Sequence, residues 1–193
     1  GNTTMNAMNT EQARFNMIEQ QIRPWDVLDD RVLATLSSTA REDFVPEQYR
    51  ALAFSDISVP LAHGQAMMPP KLEGKLLQSL TIHPSDSILE IGTGSGYLTA
   101  CLAKLGGSVH SLDLYADFIE QARTRLEQHD IKNATFEQGD AAAGWKSDSG
   151  FDVIAVTGSL PVLHHGFHTL LKQGGRLFVI AGTPPIMQAL LIT

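Results

Sequence analysis

The spacing of apolar positions changes near residue 80. Before that point apolar residues recur at helical intervals or lose periodicity, and after it short apolar runs alternate with amphipathic stretches. Within residues 11–22, Phe15, Ile18 and Ile22 share helical spacing, and Pro24 stops the pattern. A second helix is predicted over residues 30–38, with Val32, Leu33 and Leu36 on one side. Residues 41–66 carry Pro46 and Pro60 and few periodic signals. Pro69 and Pro70 sit where a helix can begin, because a first turn leaves its N–H groups unpaired anyway. Leu72, Leu76 and Leu80 form the apolar stripe of that helix.

The second part reads as alternating strands and helices. Strands are predicted at 87–91, 109–113, 134–138, 151–156 and 176–181. The 151–156 run is unbroken and apolar, as a central parallel strand requires. Helices are predicted at 97–105, closed by Gly106 and Gly107, at 117–128, with Phe118, Ile119, Ala122 and Leu126 on one face, and at 160–171. Gly174 and Gly175 mark a turn before the last strand. The pattern predicts a doubly wound, mostly parallel α/β sheet of Rossmann-like type. Right-handed crossovers give the strand order 3-2-1-4-5, with a ligand at the carboxyl ends where the order reverses, between the first and fourth strands. Residues 1–80 are then a helical and irregular extension packed on an α/β unit spanning 81–193.

Composition narrows the class. Of 193 residues, 43% are hydrophobic and 18% charged, so the chain can bury a core. Fourteen basic residues against 21 acidic ones give a net charge of -7, which excludes a general nucleic-acid binder. Cys101 is the single cysteine, so neither a disulfide framework nor a thiolate zinc cluster is expected within the chain. No apolar run approaches the roughly 20 residues of a membrane span, and no signal pattern opens the sequence. A soluble, cytoplasmic domain is expected.

The chemistry concentrates after the first predicted strand. Glu90-Ile91-Gly92-Thr93-Gly94-Ser95-Gly96-Tyr97 leaves a strand and opens a helix. Glycines there permit positive φ and close approach of a ligand to the backbone, and the helix start offers free N–H groups. A dinucleotide fingerprint wants a third glycine at position 97, where this chain has Tyr97. An acid followed by G-x-G-x-G resembles instead the first motif of S-adenosylmethionine-dependent methyltransferases. Asp113 ends the second strand, where a carboxylate can accept from both ribose hydroxyls. Gly139-Asp140 follows the third, with Asp140 and Ala141 expected beside adenine. Glu90, Gly92, Thr93, Gly94, Ser95, Gly96, Asp113, Leu114, Asp140 and Ala141 are the predicted cofactor-binding residues.

From about residue 43 to 182 the sequence resembles the protein-L-isoaspartate O-methyltransferase family. The carrying residues are Asp43-Phe44-Val45-Pro46, Val59-Pro60-Leu61-Ala62-His63-Gly64-Gln65, the run from Ile88 through Ala100, Gly139-Asp140, Phe151-Asp152-Val153-Ile154 and Gly174-Gly175-Arg176-Leu177. The glycine motif points only to the superfamily; the Val-Pro and His-Gly-Gln elements point to the family. The resemblance implies methyl transfer from S-adenosyl-L-methionine, leaving S-adenosyl-L-homocysteine, to the isoaspartyl carboxylate of a damaged protein or peptide. A carboxylate with a pKa near 4 is already a nucleophile at neutral pH, so catalysis by positioning suffices.

Three departures shape the expectation. Met68 stands where the family has its active-site serine, and Ala66 replaces a threonine. A thioether donates no hydrogen bond, so weak isoaspartyl repair is expected. The alternatives are a different, small acceptor or a cofactor-binding interaction module without turnover. After Thr157, Gly158-Ser159-Leu160-Pro161 replaces the family's Ala-Ala-Pro, which makes Thr157 and Ser159, with His63, the candidate catalytic groups. The family continues past the fifth strand with a helix and a strand pair. Here the chain ends at Thr193, inside what reads as that helix, so the apolar edge at 177–180 is expected bare and able to pair in a homodimer.

Other features weigh less. His164 and His168 have ligand-compatible spacing, but no H-E-x-x-H pattern or third ligand accompanies them, so no metal is expected. Ser95 lacks the spacing of a nucleophile elbow. Met67 and Met68 read as a pocket wall or as packing, Cys101 as a small core residue, and Trp25 and Trp145 as packing residues. The Ile22-Arg23-Pro24-Trp25-Asp26 turn reads as docking the N-terminal helices over the pocket.

Overall fold

The computed structural model describes residues 2–140, 150–157, 170–183 and 186–192. Helix α1 (Asn2–Met17) runs into a single widened turn, Ile18–Ile22, and ends in a tight turn, Arg23–Trp25, built on Pro24. Asp26 closes it in the left-handed region, φ 61°. The helix begins earlier than its apolar spacing predicts, and its buried face differs. Ile18 and Ile22 are buried as expected, but Phe15 is 59% exposed, and Arg14 and Met17 are buried instead. The reason is charge pairing: Arg14 reaches Glu11 (2.6 Å) and both Glu42 oxygens (2.5 and 2.6 Å), and its guanidinium lies over the Phe54 ring.

Helix α2 (Asp30–Ser38) starts where Asp29 accepts a hydrogen bond from the Val32 N–H at 3.0 Å, a side-chain N-cap. Its Arg31 donates to the Ile82 and Leu105 carbonyls (2.7 and 2.8 Å), satisfying chain ends that packing would otherwise orphan. The aperiodic stretch after α2 forms tight turns and a two-residue hairpin, β1 (Val59–Pro60) against β2 (Ala66–Met67). Helix α3 (Pro70–Ser79) begins at the second of its two prolines. Gly74 in α3 is a packing glycine, because an added Cβ would lie 3.1 Å from Ile22 Cγ2.

The remaining elements are β3 (Ser87–Ile91), α4 (Tyr97–Leu105), β4 (Ser108–Asp113), α5 (Ala116–Gln128), β5 (Ala134–Gln138), β6 (Phe151–Val156), β7 (Leu171–Thr183) and β8 (Ile186–Ile192). The sheet order is β5-β4-β3-β6-β7-β8. The first five strands in this order are parallel, in the predicted 3-2-1-4-5 arrangement. Period-two alternation sends successive strand residues to opposite faces. Ile88, Val109, Val153 and Phe178 join the core that also contains Met17, Ile22, Leu36, Phe44 and α4. Leu89, Ile91, Leu112, Ile154 and Leu177 form a second cluster on the other face.

Two expectations are corrected at the end of the chain. Residues 186–192 are a strand and not a helix, pairing antiparallel with β7 from Thr183↔Ile186 to Leu177↔Ile192. This almost wholly apolar run satisfies its backbone by pairing with the adjacent edge. The edge expected to be bare, and free for a homodimer, is therefore occupied by the chain itself. The fifth parallel strand also begins earlier than predicted, at Leu171, and the register with β6 shifts between Phe151 and Val153. The predicted 160–171 helix, including His164, His165 and His168, lies outside the described residues apart from its last two positions. Trp145 lies outside them too. No helix among the described residues is long and apolar enough to cross a membrane.

Candidate cofactor and acceptor cleft

A cleft open to solvent, with a cavity volume of about 50 Å³, lies at the carboxyl ends of β3, β4 and β6. One wall is the turn between β3 and α4, with Gly92, Thr93, Gly94 and Ser95; Asp113 and Thr157 border it from the neighbouring strand ends. Leu61, Gln65, Ala66, Met67 and Met68 of the hairpin region face that wall, and Glu73 of α3 and Phe118 of α5 complete the lining.

The glycines do different work. Gly92 (φ 104°) and Gly94 (φ 52°) adopt conformations that side-chain-bearing residues resist, and both border the cleft. A Cβ on Gly94 would meet only Leu61, at 3.5 Å, so the backbone is open toward the cleft. Gly96 (φ 87°) lies against α5, with Ala122 Cβ 2.8 Å from where its own Cβ would be. It is the close-packing glycine of the motif and not a lining residue.

Asp113 is fixed by the turn it serves. Its Oδ2 accepts from the Gly94 N–H (3.0 Å) and its Oδ1 from the Tyr115 N–H (3.1 Å). Each oxygen keeps a lone pair for a ligand hydroxyl. Glu90 is placed otherwise. It is fully buried beneath the turn and reaches the cleft only through a chain of hydroxyls. Thr99 and Ser111 (2.6 Å) donate to its Oε1, and Thr93 hydrogen-bonds Ser111 at 2.6 Å. Its Oε2 is buried with no partner among the described residues. Burial raises the Glu90 carboxyl to about 8, the two hydroxyls opposing and the Asp113 charge adding a little.

The other predicted residues scatter. Thr157 lines the cleft and donates to the Gly92 carbonyl at 3.2 Å. Leu114 is 47% exposed beside the cleft, and Asp140 follows β5 at the same end of the sheet. Ala141 and Ser159 lie outside the described residues. His63 is not in the wall. It adopts φ 60°, stacks on Tyr115 (centroids 3.9 Å apart) and meets both Asp117 oxygens at 2.9 and 3.0 Å. It is a clasp that ties the hairpin loop to the start of α5. Met68, buried, is part of the wall, and Cys101 is buried in α4 with its thiol pushed up to about 12, a core residue and not a nucleophile. No cluster of metal-ligating side chains occurs among the described residues.

Sequence reasoning missed the charged pair at the hairpin side of the cleft. Arg41 and Glu73 are 1% and 2% exposed and form a buried ion pair. The available signal was Glu73 itself, three and four residues before Leu76 and Leu77 and thus on the apolar face of α3.

Methyl-donor chemistry fits this geometry: positive-φ glycines open their backbone to the cleft, and an anchored carboxylate stands beside them. Comparison with known proteins agrees. Residues 12–191 match the family model of protein-L-isoaspartate(D-aspartate) O-methyltransferase. A protein-L-isoaspartate O-methyltransferase of Brucella anthropi is 33% identical over 183 residues, covering 95% of this chain and 84% of the relative. The enzyme of that name from Cronobacter sakazakii is 35% identical over 169 residues, covering 88% and 81%. Among solved structures, one protein-L-isoaspartate O-methyltransferase superposes with a TM-score of 0.76 at 23% identity, covering 94% of this chain and 59% of its own. Another, from Plasmodium falciparum in complex with S-adenosyl-L-homocysteine, superposes at 0.75 and 20% identity, covering 95% and 89%. The chain belongs to the protein-L-isoaspartate O-methyltransferase family and is an S-adenosylmethionine-dependent methyltransferase.

Proposed function

We propose that this chain methylates an acceptor held between the glycine turn and the Met67–Met68 strap, and that an isoaspartyl carboxylate is a poor acceptor there. The observation that carries this reading is the buried Met68 in the cleft wall, at the position where the family resemblance puts a serine. Gly92, Thr93, Gly94 and Ser95 would hold the donor through their backbone, and Asp113 would take its ribose hydroxyls. Bound S-adenosylmethionine supplies a methyl group activated by the sulfonium. The chain supplies alignment and exclusion of water, because the hairpin carrying Leu61, Met67 and Met68 covers the turn.

The acceptor wall offers little to a carboxylate. Met68 donates no hydrogen bond, and the Thr157 hydroxyl is committed to the Gly92 carbonyl. A polar group left unpaired costs about 1–3 kcal/mol, roughly ten- to a hundredfold in binding or rate.

The test combines labelled S-adenosylmethionine with an isoaspartyl peptide and counts base-labile methyl ester, with cofactor affinity titrated in parallel. Bound cofactor, slow ester formation and a gain of about tenfold in Met68→Ser support the proposal. Wild-type ester formation at a rate that Met68→Ser does not exceed would refute it. Tight cofactor binding without transfer to any acceptor would favour a binding module.

A further inference from the structure

Glu73 puts a negative charge on the acceptor side of the cleft. It sits in α3, lines the cleft with Met67 and Met68, and is otherwise sealed. Arg41 pairs with its Oε1. Arg41 is committed elsewhere as well. Its Nε donates to the Ala53 carbonyl at 2.7 Å and its Nη2 to the Met68 carbonyl at 3.1 Å, while its guanidinium lies over the Tyr97 ring at 4.7 Å. Arg41 does not border the cleft. The other titratable groups facing Glu73 are Tyr97 and Cys101 of α4, both pushed up by burial and both neutral at ordinary pH. At long range the ion pair cancels. At the wall itself the nearer charge is the carboxylate, and low-dielectric surroundings strengthen its field.

We propose that Glu73 selects the acceptor by charge, disfavouring an anionic group at the transfer position and favouring a neutral or cationic one, such as an amide or an amine. The inference rests on the reading above, that this cleft is where the methyl is transferred. It adds a class of acceptor to that reading and makes Glu73 a specificity-determining residue.

Glu73→Gln tests it. The variant keeps the shape of the side chain, removes the anion and leaves Arg41 as an unmatched cation that favours a carboxylate. With the isoaspartyl peptide and labelled S-adenosylmethionine, KM should fall by about tenfold with little change in kcat. S-adenosylhomocysteine affinity should stay within about threefold, since the two ligands meet different walls. An unchanged or raised KM overturns the proposal, as does absence of ester in the variant. If Glu73→Gln does not fold, Arg41→Met combined with Glu73→Leu removes both charges at similar volume, a replacement buried pairs often tolerate. The same gain is expected there, and its absence overturns the proposal.

Wild-type protein gives a second readout. Full burial raises the Glu73 carboxyl to about 7 against the opposing pull of Arg41. KM for the isoaspartyl peptide should therefore fall between pH 8 and pH 6 as Glu73 takes up a proton, and a flat profile counts against the assignment. Efficient wild-type repair that Met68→Ser does not improve removes the reading of the cleft. Poor repair that is insensitive to Glu73 removes only the charge filter.

Discussion

Gly96→Ala isolates what the last glycine of the motif does. Gly96 holds φ 87°, with its N–H on the Thr93 carbonyl and its own carbonyl accepting from Ala100, both at 3.0 Å. A side chain in the left-handed region costs about 1–2 kcal/mol. The new Cβ would also stand 2.8 Å from Ala122 Cβ and 3.1 Å from Ala122 Cα. These atoms are fixed by the α5 backbone, so neither helix can yield cheaply, and overpacking of this kind costs about 1–3 kcal/mol. The expected loss is about 2–5 kcal/mol, out of a typical total near 5–15 kcal/mol. For a chain of this size that lowers Tm by about 4–20 °C.

Gly64→Ala is the control. It has φ +69°, with nothing within 4 Å of the added Cβ, so only the conformational cost of about 1–2 kcal/mol applies. Urea unfolding of the two variants measures the contact with α5 by difference. Ala122→Gly placed in the Gly96→Ala background should return part of that difference, less about 1 kcal/mol for a glycine inside a helix. Equal losses in Gly96→Ala and Gly64→Ala would refute the close-packing account.

Asp113→Asn presents one side-chain oxygen in place of two, so either the Gly94 or the Tyr115 N–H loses its partner. S-adenosylhomocysteine affinity, read by calorimetric titration, should fall tenfold or more, corresponding to about 1.5–3 kcal/mol for a charged hydrogen bond; unchanged affinity removes the ribose assignment. Glu90 and Glu73 are acids whose folded values, about 8 and about 7, lie above the ordinary carboxylate value of 4.5. Between those limits the folded state binds more protons than the unfolded one. As far as these groups are concerned, stability is therefore greatest below about pH 4.5 and is lost as pH rises from there toward 8, by at most about 1.4 kcal/mol per unit for each group. Glu90→Gln should flatten its share of that fall in urea midpoints taken at pH 5 and pH 8, and parallel slopes in both proteins would show that Glu90 stays ionised.

The α/β half was legible because its signals are local. Ser87–Ile91, Tyr97–Leu105, Ala134–Gln138 and Phe151–Val156 are short periodic or apolar runs bounded by glycine, proline or charge, and their observed bounds match the reading. Asp30–Ser38 matched for the same reason, with Asp29 as its cap. The glycine turn and Asp113 were readable because strand ends put chemistry at fixed intervals. Pairings made across the chain were not. Arg14 displaced Phe15 from the buried face through Glu42, 28 residues away, and Arg41 found Glu73 at a separation of 32. His63 read as a candidate catalytic group because its loop was recognised, but its partners Tyr115 and Asp117 are defined only once α5 packs against that loop. The strand at Ile186–Ile192 read as a helix because a short apolar run has no period of its own, and the neighbouring edge decided its state.

The core shared between the first 80 residues and the sheet sets an order of events during synthesis. Met17, Ile22, Leu36 and Phe44 leave the ribosome well before Tyr97, Cys101, Leu102 and Leu105 of α4, with which they share one core. Arg31 waits for the Leu105 carbonyl, and Lys104 closes on Ser38 and Thr39. The N-terminal segment can pack against α3 as soon as that helix is made, but these bonds to α4 form only once α4 has been translated. The hairpin that covers the glycine turn is anchored through Arg41, which donates to the Met68 carbonyl, while Arg125 ties the Phe44 and Ser95 carbonyls together. The roof of the cleft is thus translated before its floor but set in place after it.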